Sequence, residues 1–191
     1  SWNETAWTQL GADIDGEAAD DDSGKSVAMS ADGTRIAIGS TRNDGNGNAS
    51  GHVRIYSWNG TAWTQLGADI DGEAADDQSG DSVAMSADGT RIAIGAPFND
   101  GNGNASGHVR IYESPADPMP WTALEQIEDG HLYQSVDYGN SVFIAISSNS
   151  NAPSSNKVIR SADGGQTWTG IGGMEDAAWM GIAYGDGVWV A

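Results

Sequence analysis

Between Ser26 and Leu66 the apolar residues fall into four short runs separated by segments of Gly, Asn, Asp and Ser. Ser26-Val27-Ala28-Met29-Ser30 leads into Ala31-Asp32-Gly33-Thr34, where the Asp-Gly pair suits a hairpin because glycine accepts positive φ without steric cost. Arg35-Ile36-Ala37-Ile38-Gly39 returns as its partner. A polar loop from Asn43 to Gly51 precedes His52-Val53-Arg54-Ile55-Tyr56, in which Val53 and Ile55 alternate with polar neighbours as in a half-buried strand. After the turn Trp58-Asn59-Gly60-Thr61 comes the fourth run, Ala62-Trp63-Thr64-Gln65-Leu66. No stretch sustains a helical apolar period, so the pattern predicts an all-β chain.

The pattern is then written again. Ser57 to Tyr112 repeats Ser1 to Tyr56, departing only where Glu4 becomes Gly60, Asp22 becomes Gln78, Lys25 becomes Asp81, and Ser40-Thr41-Arg42 becomes Ala96-Pro97-Phe98. A period of 56 residues with four antiparallel strands per unit is the layout of a β-propeller blade, which cannot bury its apolar face until neighbours stack on it. In that layout Val27, Ala28 and Met29 line the narrow axis, and Trp63 fills the wider space between blades.

Residues 113–120 hold three of the five prolines and read as an insertion, after which Trp121-Thr122-Ala123-Leu124 echoes the fourth run and completes the second blade. Residues 121–191 use a second repeat: Val136 to Ala145 recurs as Ile182 to Ala191, with two-residue turns at Gly139-Asn140 and Gly185-Asp186. Residues 1–191 are thus one propeller region, with 1–112 as two near-identical units, 113–120 inserted, and further blades in 121–191. Ala6 to Leu10 reads as the fourth strand of another blade, and the abrupt ends predict an incomplete or fragmentary ring. A piece of a larger propeller is the expectation, and a compact ring closed by the two ends is the alternative.

Two family resemblances rest on these residues. Ser79-Gly80-Asp81-Ser82-Val83-Ala84, followed by Ile92-Ala93-Ile94-Gly95-Ala96-Pro97, resembles the FG-GAP repeats of integrin-type propellers, with Ser-Gly in place of Phe-Gly. The first copy departs at Gly39-Ser40-Thr41, and neither first hairpin carries the calcium loop D-x-D-x-D-G-x-x-D of many family members, so calcium is not carried over to Asp32 or Asp88. Ser161-Ala162-Asp163-Gly164-Gly165-Gln166-Thr167-Trp168 is similar to the Asp-box or BNR motif, which implies a hairpin between the third and fourth strands of a blade and says little about activity. Both resemblances suit phage tail-fibre or bacterial surface propellers.

Composition narrows the functions. Eight Lys and Arg against 27 Asp and Glu give a formal charge of −19, which opposes binding to nucleic acid or to an anionic membrane. No apolar run approaches the length of a membrane span, so no membrane insertion is expected. Cysteine is absent, which removes disulfides and thiolate sites.

The candidate chemistry is sparse. The loops Asn43, Asp44, Asn46, Asn48 and Asn99, Asp100, Asn102, Asn104 alternate oxygen-bearing side chains with glycine and could wrap calcium, although each has one carboxylate and Asn-Gly sequences form turns by themselves. The acidic connectors, Asp13 to Asp22 and Asp69 to Asp77, read as solvated links between blades, with a cation held by converging carboxylates as the alternative. His52 and His108 read as exposed residues at strand starts, because no second His or Cys stands at ligand spacing. His131 sits alone in a Gly-bounded turn.

A sialidase-like hydrolase would need converging arginines and a Tyr nucleophile. Arg35 and Arg91, like Arg54 and Arg110, are repeat equivalents, and Tyr138 and Tyr184 read as packing residues, so no enzyme is expected. The sequence instead suggests an extracellular, cell-surface or virion-surface binding module for a glycan or surface protein, within a larger assembly, with a purely structural subunit as the alternative. Arg42 and Phe98, where the copies differ, are the candidate partner-binding residues.

Overall fold

In the computed structural model, which describes residues 6–114, 122–127, 133–147, 158–171, 181–185 and 188–190, the apolar runs are strands and the Gly/Asn/Asp segments are turns. β1 (Ser23–Met29), β2 (Arg35–Ser40), β3 (His52–Trp58) and β4 (Trp63–Gln65) form an antiparallel sheet in that order, with β5 (Ile70–Asp71) also paired to β3. β6 (Ser82–Met85), β7 (Arg91–Ala96), β8 (His108–Glu113) and β9 (Thr122–Ile127) repeat the arrangement, as do β10 (Tyr133–Gly139), β11 (Val142–Ser147), β12 (Val158–Ser161) and β13 (Thr169–Gly170). β14 (Ala183–Gly185) and β15 (Val188–Val190) make a hairpin. The fourth strand of the second sheet therefore arrives only after residue 121, while residues 115–121 of the Pro-rich segment lie outside the described residues.

The sheets are blades because they stack face to face, and the second and third bury both faces. The pairing Ala37↔Ile55 and Gly39↔Val53 sets Ala37, Val53 and Ile55 on one face of the first sheet, where with Leu66 they pack on Val83, Met85, Ile92, Ile94 and Tyr112 of the second. Ala84, Ala93, Val109 and Ile111 on the second sheet's other face meet Tyr133, Val136, Phe143 and Ala145 of the third. Ile144, Ile146 and Val158, pointing the opposite way from Phe143 and Ala145, meet Ile182 and Trp189 of the last hairpin. β6 lies beside both β1 and β10, and β10 beside β14, so the first strands share one side of the stack. This is an all-β propeller in which the described blades do not close a ring.

Close approach between blades fixes one glycine. A Cβ on Gly39 would collide with the carbonyl oxygen of Gly80, the same oxygen that accepts the Ser26 hydroxyl at 2.7 Å. The entry to blade 2 thus runs against blade 1 with no room for a side chain.

Four expectations need correction. Val27 and Met29 are 53% and 51% exposed, whereas their equivalents Val83 and Met85 are 8% and 5% exposed, because only the second blade has a described blade on that face. Trp63 sits at the half-exposed rim, tilted against Trp58 at 5.4 Å and donating its indole N–H to the Leu10 carbonyl, and Leu66 takes the interblade position instead. Ala6 to Leu10 forms no strand beyond a single bridge at Trp7, with Trp7 81% exposed. The β10–β11 turn is centred on Asn140-Ser141, both at positive φ, since Gly139 pairs with Val142. Gly139 is needed for another reason: a Cβ there would strike the Tyr184 ring. The corresponding turn after Gly185 lies outside the described residues.

Candidate functional site

The first strands of three blades begin at the same end of the stack. Lys25-Ser26-Val27, Asp81-Ser82-Val83 and Gln134-Ser135-Val136 surround a cleft of about 650 Å³, completed by Gln78, Pro97 and Phe98. Lys25 and Asp81 occupy the same place in the repeat and meet across the blade boundary, Nζ to Oδ1, at 3.8 Å. Burial pushes the Asp81 carboxyl up from its ordinary value and Lys25 opposes the shift. Opposite charges at this position avoid the repulsion that two identical copies would place there, although an exposed pair contributes only about 0–1 kcal/mol.

Phe98 is 44% exposed and lines both this cleft and a neighbouring one of about 400 Å³, shared with Asp100, Asn104 and Asp76. Arg42, its repeat equivalent, faces neither cleft; its Nε lies 3.2 Å from Asp22 Oδ2. The structure therefore gathers Lys25, Asp81 and Phe98 and leaves Arg42 apart.

The acidic connector and the Asn/Gly loop form one hydrogen-bonded unit. Asp21 is 6% exposed and Asp77 2%, contrary to the expectation of fully solvated connectors. Asp21 Oδ2 accepts the Ala18 N–H at 3.2 Å and the Asn43 amide at 3.0 Å; Asp77 Oδ2 accepts the Ala74 N–H at 3.0 Å and the Asn99 amide at 2.9 Å. Burying a carboxylate is costly unless donors converge on it, and here they do.

Within the loops the oxygens turn inward on the chain's own amides. Asn43 Oδ1 accepts from Gly45, Asp44 Oδ1 from Ala49, and the Asn46 amide donates to the Gly72 and Glu73 carbonyls. In the second copy Asn99 Oδ1 and Asp100 Oδ1 accept from Gly101 and Ala105, and the Asn102 N–H donates to the Ser106 hydroxyl. Asn48 and Asn104 are exposed.

Side-chain-capped turns recur at three hairpins. Asp32 Oδ1 accepts from the Ser30 hydroxyl and from the Thr34 N–H and hydroxyl, which holds its pKa down to about 2. Asp88 has the same partners in Ser86 and Thr90; partial burial opposes them, yet together with Arg91 they leave its pKa lowered. Between β12 and β13, Asp163 accepts the Thr167 hydroxyl and N–H and the Ser161 hydroxyl, and falls well below the usual carboxylate range. These bonds account for the turns locally.

Arg35 donates to the Gly89 carbonyl and Arg91 to Glu113, on successive blades, while Tyr138 packs on Phe143 at 4.7 Å and Tyr184 on Trp189 at 4.9 Å. His52 and His108 are 2% and 3% exposed, not surface residues as expected. Their burial follows from strand starts tucked under the preceding connector. His131 lies outside the described residues.

Stacked four-stranded sheets with adjacent first strands define the chain as a β-propeller. Residues 68–112 match the FG-GAP repeat family. Kuenenia stuttgartiensis hydrazine synthase is similar in structure, with a TM-score of 0.56 at 11% identity over 93% of this chain. This chain spans 42% of that one, and the likeness concerns the fold alone. The WD40 beta propeller domain of Doa1 (TM-score 0.48, 16% identity, 82% of this chain and 42% of that one) and Saccharomyces cerevisiae Sqt1 (0.47, 14%, 79% and 33%) are also similar. No curated protein matches the sequence. Among the described residues, no helix is long and apolar enough to cross a membrane.

Proposed function

We propose that the chain is a binding module of a cell or virion surface, in the manner of an adhesin or receptor-binding propeller, and that it takes a glycan or surface protein at the cleft between Lys25, Asp81 and Phe98. One observation carries this reading. Of the positions at which the second repeat departs from the first, Gln78, Asp81, Pro97 and Phe98 all line that cleft, together with Lys25 from the first. The apolar packing residues are shared by both copies, while Gln78, Asp81 and Phe98 differ from their counterparts at the mouth of the cleft, where a ligand would be met. A half-exposed aromatic beside a charged pair offers an apolar ring face for a sugar or side chain and polar groups for orientation. The turn of Asp163 fits the Asp-box resemblance, and the phage or bacterial surface context belongs to the same reading.

The test is a glycan array and a pull-down from surface extracts with the intact chain, repeated with Phe98→Ala and Lys25→Asp. Binding that Phe98→Ala weakens supports the cleft. Binding untouched by both substitutions, or none at all, removes it. A second reading, an assembly subunit, is favoured by the exposed Val27 and Met29 on the outer face of blade 1.

A further inference from the structure

The connector before β1, the start of β3 and the connector before β5 converge on Glu17, His52 and Asp69. One ligand atom from each lies within 4.8 Å of the others. The His52 ring is 2% exposed and its Nδ1 has no hydrogen-bond partner. It faces Glu17 Oε2 at 3.8 Å and Asp69 Oδ2 at 3.7 Å, too far for hydrogen bonds, which fail by ~3.6 Å. A buried polar nitrogen aimed between two carboxylates with nothing bound to it is costly as it stands.

Arg54 fixes the other half of each carboxylate. It contacts Glu17 Oε1 through Nη2 and Asp69 Oδ1 through Nε, the latter at 3.1 Å, while Gln65 donates to Asp69 Oδ1 at 2.6 Å. Those bonds leave Oδ2 and Oε2 turned toward the imidazole, with Asn43 donating weakly to Oε2 at 3.3 Å. Hydrogen bonds to the outer oxygen of a ligating carboxylate are the usual way a metal's ligands are oriented. The charges agree: the guanidinium balances one carboxylate, a neutral imidazole adds nothing, and one negative charge is left.

We propose that Glu17, His52 and Asp69 bind one divalent cation of the zinc class, which clamps the incoming and outgoing connectors of blade 1 to β3. An imidazole nitrogen with two carboxylate oxygens suits zinc, cobalt or nickel rather than calcium. Zinc bonds of ~2.0–2.1 Å need ligand atoms about 3.4 Å apart in a tetrahedron, so the imidazole moves a few tenths of an ångström toward each carboxylate, and the two carboxylate oxygens, within 4.8 Å of each other, close by at most about 1.4 Å. Glu17, with a side chain 43% exposed, has the freedom to make that movement. Nδ1 ligates unprotonated, with the ring proton on Nε2.

The second blade supplies a comparison within the chain. His108 Nδ1 lies 3.6 Å from Glu73 Oε2, but sheet register puts Gln126 opposite Arg110, where blade 1 has Asp69 just before Ile70. Among the described residues only Glu17, His52 and Asp69 form such a group of three, and one ion is expected there.

The experiment takes the full chain freed of metal by chelation and titrates it with zinc by calorimetry and with cobalt by visible absorption, following melting temperature alongside. Saturation at one equivalent, a melting temperature that rises with zinc but not calcium, and binding weakened by more than about 10–100-fold in both His52→Gln and Asp69→Asn support the site. His108→Gln should leave that equivalent in place. No binding of either metal, or binding that Asp69→Asn leaves unchanged, overturns the proposal and assigns the gap to bridging water. Asp69 is partly exposed, so its variant decides the matter even where His52→Gln unfolds the chain.

Discussion

Met29 and Met85 hold the same place in two nearly identical repeats, and only their neighbours differ. Met85, 5% exposed, is packed among Ala37, Val53, Ile55 and Leu66 of blade 1 and its own blade's Ile92 and Ile94. Met29, 51% exposed, has no described blade on its side. Truncating a buried methionine to alanine removes its transfer energy and leaves a cavity, at a cost of about 2–5 kcal/mol. The half-exposed methionine forfeits only part of the transfer term, about 0.5–1 kcal/mol. For a chain of 191 residues each kcal/mol moves the melting temperature by roughly 2–4 °C, so Met85→Ala should fall by roughly 4–20 °C and Met29→Ala by no more than about 4 °C. Thermal and urea melts of both variants at several protein concentrations make the comparison, with Val83→Ala and Val27→Ala as a second pair. Because local sequence is shared, helix or strand propensity cancels and burial alone separates the two. Equal losses would refute the reasoning, since the outer face of blade 1 would then be covered in solution. A loss at Met29 that grows with protein concentration would identify the cover as another copy of the chain.

Four further outcomes follow from the same geometry. Asp77→Ala leaves the buried Asn99 amide without its 2.9 Å acceptor and the Ala74 N–H unpaired, costing about 1–3 kcal/mol; an unchanged melting temperature would refute the burial. Asp81 has a folded pKa raised by burial, so the native state binds the extra proton and stability is lost as pH rises through the carboxylate range; Asp81→Asn should be the more stable protein at neutral pH, with the gap closing below its ordinary value of 3.8. Asp32 shows the opposite sign: its pKa of about 2 gives stability that is full above 3.8 and lost as pH falls toward 2, and Asp32→Asn should flatten melting temperature against pH in that window. Millimolar calcium should leave the melting temperature unchanged, because Oδ1 of Asn43, Asp44, Asn99 and Asp100 already accepts loop N–H groups; a rise abolished by Asp44→Asn and Asp100→Asn would assign calcium to those loops.

The strands were legible because two signals coincided. Alternation at Val53 and Ile55 and the turn residues Asp32-Gly33 and Asn59-Gly60 bound each run on both sides, and β2 and β3 lie where the pattern puts them. The start of β1 was not legible, since pairing jumps from Ser23↔Ser40 to Ser26↔Gly39 across a bulge that no apolar residue marks. Burial of polar groups was the larger omission. Nothing in Gly51-His52-Val53 says that a connector folds over the histidine, because the partners, Glu17 and Asp69, are supplied by segments 35 residues upstream and 17 downstream. One signal is present in the sequence: Asp21 to Asn43 and Asp77 to Asn99 keep the same spacing and the same residues, while the neighbouring Asp22 becomes Gln78. A kept Asp beside a changed one points to the carboxylate that is bonded.

That contrast bears on how a nearly perfect repeat should be read. Repeats that stack must present matching faces, so Val53, Ile55 and Leu66 in one copy and Val83, Met85 and Ile92 in the next are constrained jointly; a change in either face opens a cavity in the shared interface. Positions at the open end of the first strands answer to no such match. There a charge can reverse, as Lys25 does to Asp81, and the reversal is tolerated because the two copies meet each other and form a pair. Ser40-Thr41-Arg42 can become Ala96-Pro97-Phe98 for the same reason, with one arginine held by Asp22 and one phenylalanine turned toward the cleft. The changes at Lys25/Asp81 and Arg42/Phe98 therefore fall on accessible positions, whereas Ser40/Ala96 and Thr41/Pro97 exchange side chains that are buried in both copies. Phe98, half-exposed at the cleft, is free to meet a ligand only if it is not part of the packing; Phe98→Ala destabilising the chain as strongly as Met85→Ala would refute this, for then the side chain would belong to the core.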